Sequence, residues 1–132
     1  MKFSRQSRLL KPAQFKSVFQ QPIRSSDDFF RILARVNQEN HHRLGMAVSK
    51  KACSKAVGRN RIKRVVRESF RNRMLESFSE QPLDLVILPT ARATNQSNQT
   101  LDESLVIHWQ KLARKAETRN TVGQPDQSRT QR

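Results

Sequence analysis

Residues 58–73 read GRNRIKRVVRESFRNR. Placed on a helix, Ile62, Val65, Val66, Phe70 and Met74 fall at spacings of three and four and form one apolar stripe. Asn60, Lys63, Arg64, Arg67 and Arg71 recur at the same spacings on another face. The pattern predicts a helix from Arg59 to near Phe78 with one side for an apolar core and one for a strongly negative partner. Only one acid, Glu68, interrupts the cations of this stretch. Like charges at i and i+4 repel and cost a few tenths of a kcal/mol per pair. An external anion that absorbs them is the simplest reason to tolerate the cost.

The rest of the composition agrees. The chain has 132 residues, a formal net charge of +15 and a pI of about 11.5. That length suits one domain with one core plus tails. That charge calls for a polyanion, meaning nucleic acid or an anionic membrane. Eleven Lys or Arg and a single acid lie between residues 43 and 73.

A membrane partner fits poorly. No apolar run approaches the ~20 residues needed to span a bilayer, and the basic helix lacks the Trp-bearing apolar face of an interfacial helix. The N-terminal MKFSRQSRLL has no apolar segment of the signal-peptide kind. A soluble, cytoplasmic protein is expected. The one cysteine, Cys53, rules out an internal disulfide and fits a reducing compartment. Cys53 reads as a small space-filler beside Lys50, Lys51 and Lys55. His41, His42 and His108 have no metal-ligand spacing, so no metal site is expected on the chain.

Around the basic helix the pattern alternates between α and β. Pro12 suits the first turn of a helix bearing Phe15, Val18 and Phe19. Residues 23–28 suit a short edge strand. Residues 29–36, FFRILARV, and 43–50 read as strands joined by a turn, a hairpin. In the second of these, Gly45, Ala47 and Ser49 line one side between Arg43 and Lys51. Such a strip of small residues suits either a closely packed helix or the floor of a groove for a nucleic-acid strand. Residues 83–88 are nearly all apolar, hence a central strand buried on both faces. Thr100 and Glu103 have the spacing of a capping box, ahead of a last helix with Leu101, Leu105, His108 or Trp109, and Leu112 inward. Residues 116–132 are polar and are expected to be a disordered tail. The whole is an α+β single small domain of order αβββαβα, with a sheet of about four strands.

No catalytic residue is nominated. The acids Asp27, Asp28, Glu68, Asp84, Asp102 and Glu103 are scattered, unlike the converging carboxylates of a two-metal nuclease. There is no Gly-rich phosphate loop, and local sequence suggests no Ser/His/Asp set. Nucleic-acid binding is better supported. Arg and Lys on a rigid helix contact phosphates, and Phe15, Phe19, Phe29 and Phe30 are each either core or platforms for unpaired bases. A helix-turn-helix fits less well, because a strand precedes the basic helix. Charge alone also suits a ribosomal or general RNA-binding protein.

Arg59-Asn60, Lys63-Arg64 and Arg67-Glu68 form RNxxKRxxRE, followed by Phe70-Arg71. This resembles the motif of the bacterial ribonuclease P protein component. Three further stretches are similar to that family in order and gaps: Arg8-Leu9 ahead of FKSVF at 15–19, LGMAVSKK at 44–51, and residues 83–89 followed by Ala91-Arg92-Ala93. The resemblance covers about residues 8–115. It implies an α+β sandwich with a left-handed βαβ crossover, shared with a ribosomal-protein domain, where the general rule would favour a right-handed one. Residues 1–115 would form the RNA-binding domain and 116–132 the tail.

The resemblance also implies a function: the protein subunit of an endoribonuclease. With its catalytic RNA subunit it would remove the 5′ leader from precursor tRNA by hydrolysing one phosphodiester bond. The RNA would carry the chemistry with Mg2+, which it would mainly bind itself. The protein would hold the single-stranded leader and lower the magnesium requirement. Arg59, Asn60, Lys63, Arg64 and Arg67 would face the RNA subunit, with Arg61 between them. Phe15 and Phe19, with Lys50 or Lys51 at one end, would form the leader cleft. No obligate protein partner is implied. Some family members place a Tyr in the cleft strand; this chain has none, and the matching stretch is 29–34.

Overall fold

The computed structural model describes residues 11–37, 41–74 and 82–122. Its elements are α1 (Pro12–Val18), β1 (Ile23–Ser26), β2 (Phe30–Val36), β3 (Arg43–Met46), α2 (Ala56–Ser69), β4 (Leu83–Pro89) and α3 (Asn98–Val122). A π-helical turn, Phe70–Met74, extends α2, and a 3-10 turn, Ala91–Asn95, follows β4.

One sheet of order β1-β2-β4-β3 organises the molecule. β4 pairs antiparallel with β2 and parallel with β3, with Leu85 opposite both Ala34 and Leu44. The expected hairpin of β2 and β3 is therefore corrected, because β4 lies between them. Two residue-level causes are visible. The six-residue connection 37–42 lacks the two-residue Asn-Gly or Asp-Gly turn that holds a tight hairpin. The strand apolar on both faces also takes the centre, where both faces are covered.

Strand alternation sorts the side chains. Ile32, Ala34, Leu83, Leu85, Ile87 and Leu44 point to one face, where they meet Ile62, Val65, Val66 and Phe70 of the α2 segment and Leu101, Leu105, Trp109 and Leu112 of α3. Phe30 belongs to this core and is fully buried, which removes it as a base platform. Trp109 donates its indole N–H to Ser69 Oγ at 2.8 Å and meets Phe70 edge-on, locking the two helices together. On the opposite face a smaller cluster of Val18, Leu33 and Val86, with Phe15 and Leu88, seats α1. Asp84, buried on that same face, takes two hydrogen bonds at 2.7 Å from Arg43 and one from Asn37. This satisfied ion pair pins the register of β3 on β4.

Other boundaries shift. β3 ends at Met46, although the Ala47 amide still bonds Ile87 O. α2 ends at Ser69 and the π turn at Met74, so the predicted extension toward Phe78 falls on residues outside those described. The cap of α3 is Ser97, whose Oγ accepts the Thr100 amide at 3.1 Å, while Glu103 pairs with Gln99. Thr100 is thus inside the helix. Residues 116–122, expected in the tail, are helical. α3 runs through Val122, and Ala116 is buried against the core; residues 123–132 lie outside those described.

Candidate nucleic-acid interface

The buried stripe of α2 fixes which way its cations face. With Ile62, Val65, Val66 and Phe70 in the core, Asn60, Lys63, Arg64, Arg67 and Arg71 fall on the outer side. Together with Glu68 they line a shallow concavity of about 380 Å3. Glu68 is 3.0 Å from Arg71, which leaves the rim strongly positive. A second hollow of about 420 Å3 continues from Arg64 to the start of α3, where Arg73 meets Asp102 at 3.2 Å.

The six candidate residues of this helix divide in two. Asn60, Lys63, Arg64 and Arg67 line the concavity. Arg59 and Arg61 do not. Arg59 Nη1 donates to Cys53 O and Ser54 O, both at 2.9 Å. Arg61 donates to Asn98 Oδ1 at 2.6 Å and to Thr94 O at 3.0 Å. Thr94 Oγ1 in turn donates to Ala52 O. These bonds staple the 49–54 connection, the first turns of α2 and the 91–98 segment into one node. Gly58 completes the node, since a Cβ there would stand 2.6 Å from the buried Cys53 Sγ.

The other candidates lie on the far side of the sheet. α1 lies over β2 and β4, with Val18 buried, Phe15 half-buried and Phe19 49% exposed. Arg35 holds its C-terminal end by donating to Ser17 O at 2.9 Å. β2 presents Arg31, Leu33 and Arg35 to this side, so Leu33 is the uncharged residue of the cleft strand beneath Phe15. Gly45 is buried on the face it shares with Val86, and Ala47 and Ser49, beyond the end of β3, are exposed. Lys50 and Lys51 are exposed where these small residues end. The cations of α2 and the rings of α1 are thus on opposite sides of the sheet, with Lys50 and Lys51 in the connection from β3 to α2.

The structure also assembles a set that local sequence did not suggest. Ser25 Oγ is 2.6 Å from His108 Nδ1, and His108 Nε2 faces the Asp27 carboxylate at 3.2 Å without hydrogen-bond geometry. Asp27 also accepts from Ser104 and from the Phe29 and Phe30 amides. Burial lowers the His108 pKa below its ordinary value, against the pull of Asp27. Burial alone would raise Asp27, but its hydrogen bonds and the nearby His108 charge outweigh that and lower it. Ser25 and His108 are buried, so this set joins β1 to α3 and offers a substrate no access. His42 is likewise occupied, its Nδ1 accepting the Leu83 amide at 3.0 Å. Among the described residues no group of three or more His, Cys, Asp or Glu is placed to hold a metal ion, and no helix is long and apolar enough to cross a membrane.

Comparison with known proteins agrees with the geometry. The family described as Ribonuclease P matches residues 3–113. The ribonuclease P protein component of Aliivibrio salmonicida is 45% identical over 112 residues, 85% of this chain and 93% of that protein. Its counterpart in Methylococcus capsulatus is 43% identical over 113 residues, 86% of each. The solved structure of the Staphylococcus aureus RNase P protein superposes with a TM-score of 0.70 at 30% identity, covering 81% of this chain and 94% of that one. With a basic helix matching the family motif, this sheet order and these relatives over most of its length, the chain belongs to the family of ribonuclease P protein components.

Proposed function

We propose that the chain, as the protein component of ribonuclease P, binds two stretches of RNA on opposite sides of its sheet. The outer face of α2 receives the RNA subunit, through Asn60, Lys63, Arg64 and Arg67. The side covered by α1 receives the single-stranded 5′ leader of precursor tRNA, through Phe15, Phe19, Lys50 and Lys51. The observation that carries this reading is the division itself. A positive concavity free of aromatic residues stands on one side. On the other side lie a half-exposed aromatic ring, small residues and exposed lysines beyond β3. The first suits phosphates; the second suits unpaired bases and the strand that carries them.

In this reading hydrolysis belongs to the RNA subunit, and Mg2+ supplies metal-assisted chemistry there. The scattered carboxylates of this chain, four of them engaged by Arg43, Arg71, Arg73 and Ser104, support that assignment. The protein's own part is positional. It neutralises phosphates that Mg2+ would otherwise screen and orients the leader strand. The reading places the protein in the cytoplasm, in keeping with its single thiol.

Precursor-tRNA cleavage at low Mg2+ tests it, with bacterial ribonuclease P RNA alone, protein alone and both. Cleavage at the mature 5′ end in the mixture only is the expected result. RNA binding without gain over RNA alone would leave a general RNA-binding protein. Cleavage by the protein alone would place the chemistry on this chain.

A further inference from the structure

A second group of cations gathers at the outer edge of β1, apart from α2. Arg24 and Arg31 are exposed on the α1 side of the sheet, where Arg24 sits opposite Leu33 and Arg31 opposite Ser26, making the two diagonal neighbours. Lys111 and Lys115 are exposed on α3 just around that edge, and Arg114 is exposed beside Lys111 at i+3. The flank of α3 that carries Lys111 and Lys115 also carries Ser104 and His108, which reach Asp27 and Ser25 at β1. Lys115 Nζ donates to Arg24 O at 2.6 Å, so the two sets of cations meet across the edge. Lys111 and Lys115 are also near enough to His108 to act on its titration.

Five cations here outnumber the three nearby acids. Asp27 is engaged by Ser104 and the β1–β2 turn, Asp28 lies 3.4 Å from Arg92, and Glu117 is the acid on the next turn of α3. Lys111 and Lys115 stand at i and i+4, a spacing at which like charges repel. α3 separates this patch from the basic face of α2, which it meets on its other flank through Asp102 and Arg73.

The patch is continuous with the α1 side. Arg31 and Leu33 project from the same face of β2, two residues or about 7 Å apart, and Leu33 packs with Phe15. A strand leaving the cleft over Leu33 therefore meets Arg31 and Arg24 next, then Lys115, Lys111 and Arg114. We propose that the β1 edge is a second RNA-binding surface that holds backbone phosphates of the 5′ leader distal to the nucleotides in the α1 cleft. It rests on the leader-cleft reading above.

The test compares holoenzyme affinity for precursor tRNAs bearing leaders of about 12 and about 4 nucleotides, both within the ~4–16 nucleotides that single-strand grooves hold. In the Lys111→Ala/Arg114→Ala protein the long-to-short affinity ratio falls at least fivefold. Its salt slope on the long leader becomes shallower by about 1.4, or ~0.7 per lost phosphate contact. Arg24→Ala, from the other side of the edge, shifts both in the same direction. Thermal melts of each variant matching the unmodified protein exclude misfolding as the cause. A ratio unchanged by these variants but reduced by Phe15→Ala overturns the second surface and leaves the cleft standing. Weaker binding to the RNA subunit without substrate overturns it in favour of a contact with that RNA. An unmodified holoenzyme indifferent to leader length also overturns the second surface, while the cleft reading falls only if Phe15→Ala weakens precursor and mature tRNA equally.

Discussion

Arginines adjacent in one motif do different work. Arg64 is exposed on the rim of the α2 concavity, whereas Arg61 spends its guanidinium on Asn98 and Thr94 O. Sequence spacing put Arg61 off the main basic stripe but could not reveal its partners, which lie more than thirty positions away. Salt titration separates the roles. Arg64→Ala should weaken RNA-subunit binding and make the salt slope shallower by roughly 0.7–0.9, one phosphate's share. Arg61→Ala should leave that slope unchanged and lower stability by roughly 1 kcal/mol, with Asn98→Ala reproducing much of the loss. A shallower slope for Arg61→Ala would make it an RNA contact. Gly58 offers a second test. Alanine there gains about 1 kcal/mol in helix propensity but drives a Cβ to 2.6 Å from Cys53 Sγ, an overpacking cost of about 1–3 kcal/mol. Gly58→Ala should therefore lower the melting temperature in the native background. It should raise it in a Cys53→Ala background, and no reversal of sign would mean the clash is relieved elsewhere.

At the scale of elements, helical spacing located α1, α2 and α3, which each bury one face, and a continuous apolar run located β4. Pairing was another matter. The β2–β3 hairpin was the natural reading of two neighbouring strands, and the insertion of β4 depends on contacts 40 or more residues away. The buried Asp84 in β4 was visible as an oddity in an apolar run, yet its Arg43 partner emerges only once the strands are parallel neighbours. The cleft shows the same division. Phe15 and Phe19 were legible from helical spacing, while Leu33 became the cleft-strand residue only when the β2–β4 register fixed its face. If α1 is one wall of a leader site, Phe15→Ala should weaken binding of leader-bearing precursor roughly tenfold, within the ~1–3 kcal/mol of one base–aromatic stack. Mature tRNA should be affected far less. Equal losses for both RNAs would remove Phe15 from the site.

For the whole molecule, charge dictates function and a few buried groups dictate pH response. His108 has its folded pKa below the ordinary 6.5 through burial. The unfolded chain therefore takes up a proton first as pH falls. The stability contribution is complete above pH 6.5 and is lost as pH drops from there toward the folded value. Melting temperature should fall between pH 7.5 and 5.5, and His108→Gln should flatten that dependence; equal slopes would exclude His108 as the source. Asp27, whose pKa is lowered, acts in a separate window below 3.8. The sheet order has a further consequence, for synthesis on the ribosome. β1 and β2 can pair as they emerge, but β3 has its neighbour only in β4, some forty residues later. At the usual ~5–20 residues per second, the nascent chain spends seconds with its most cationic segment translated and no strand to seat it. Beside ribosomal RNA, the last apolar strand acts as the latch that ends this exposure, and a chain stalled before residue 83 is left as an unanchored polycation.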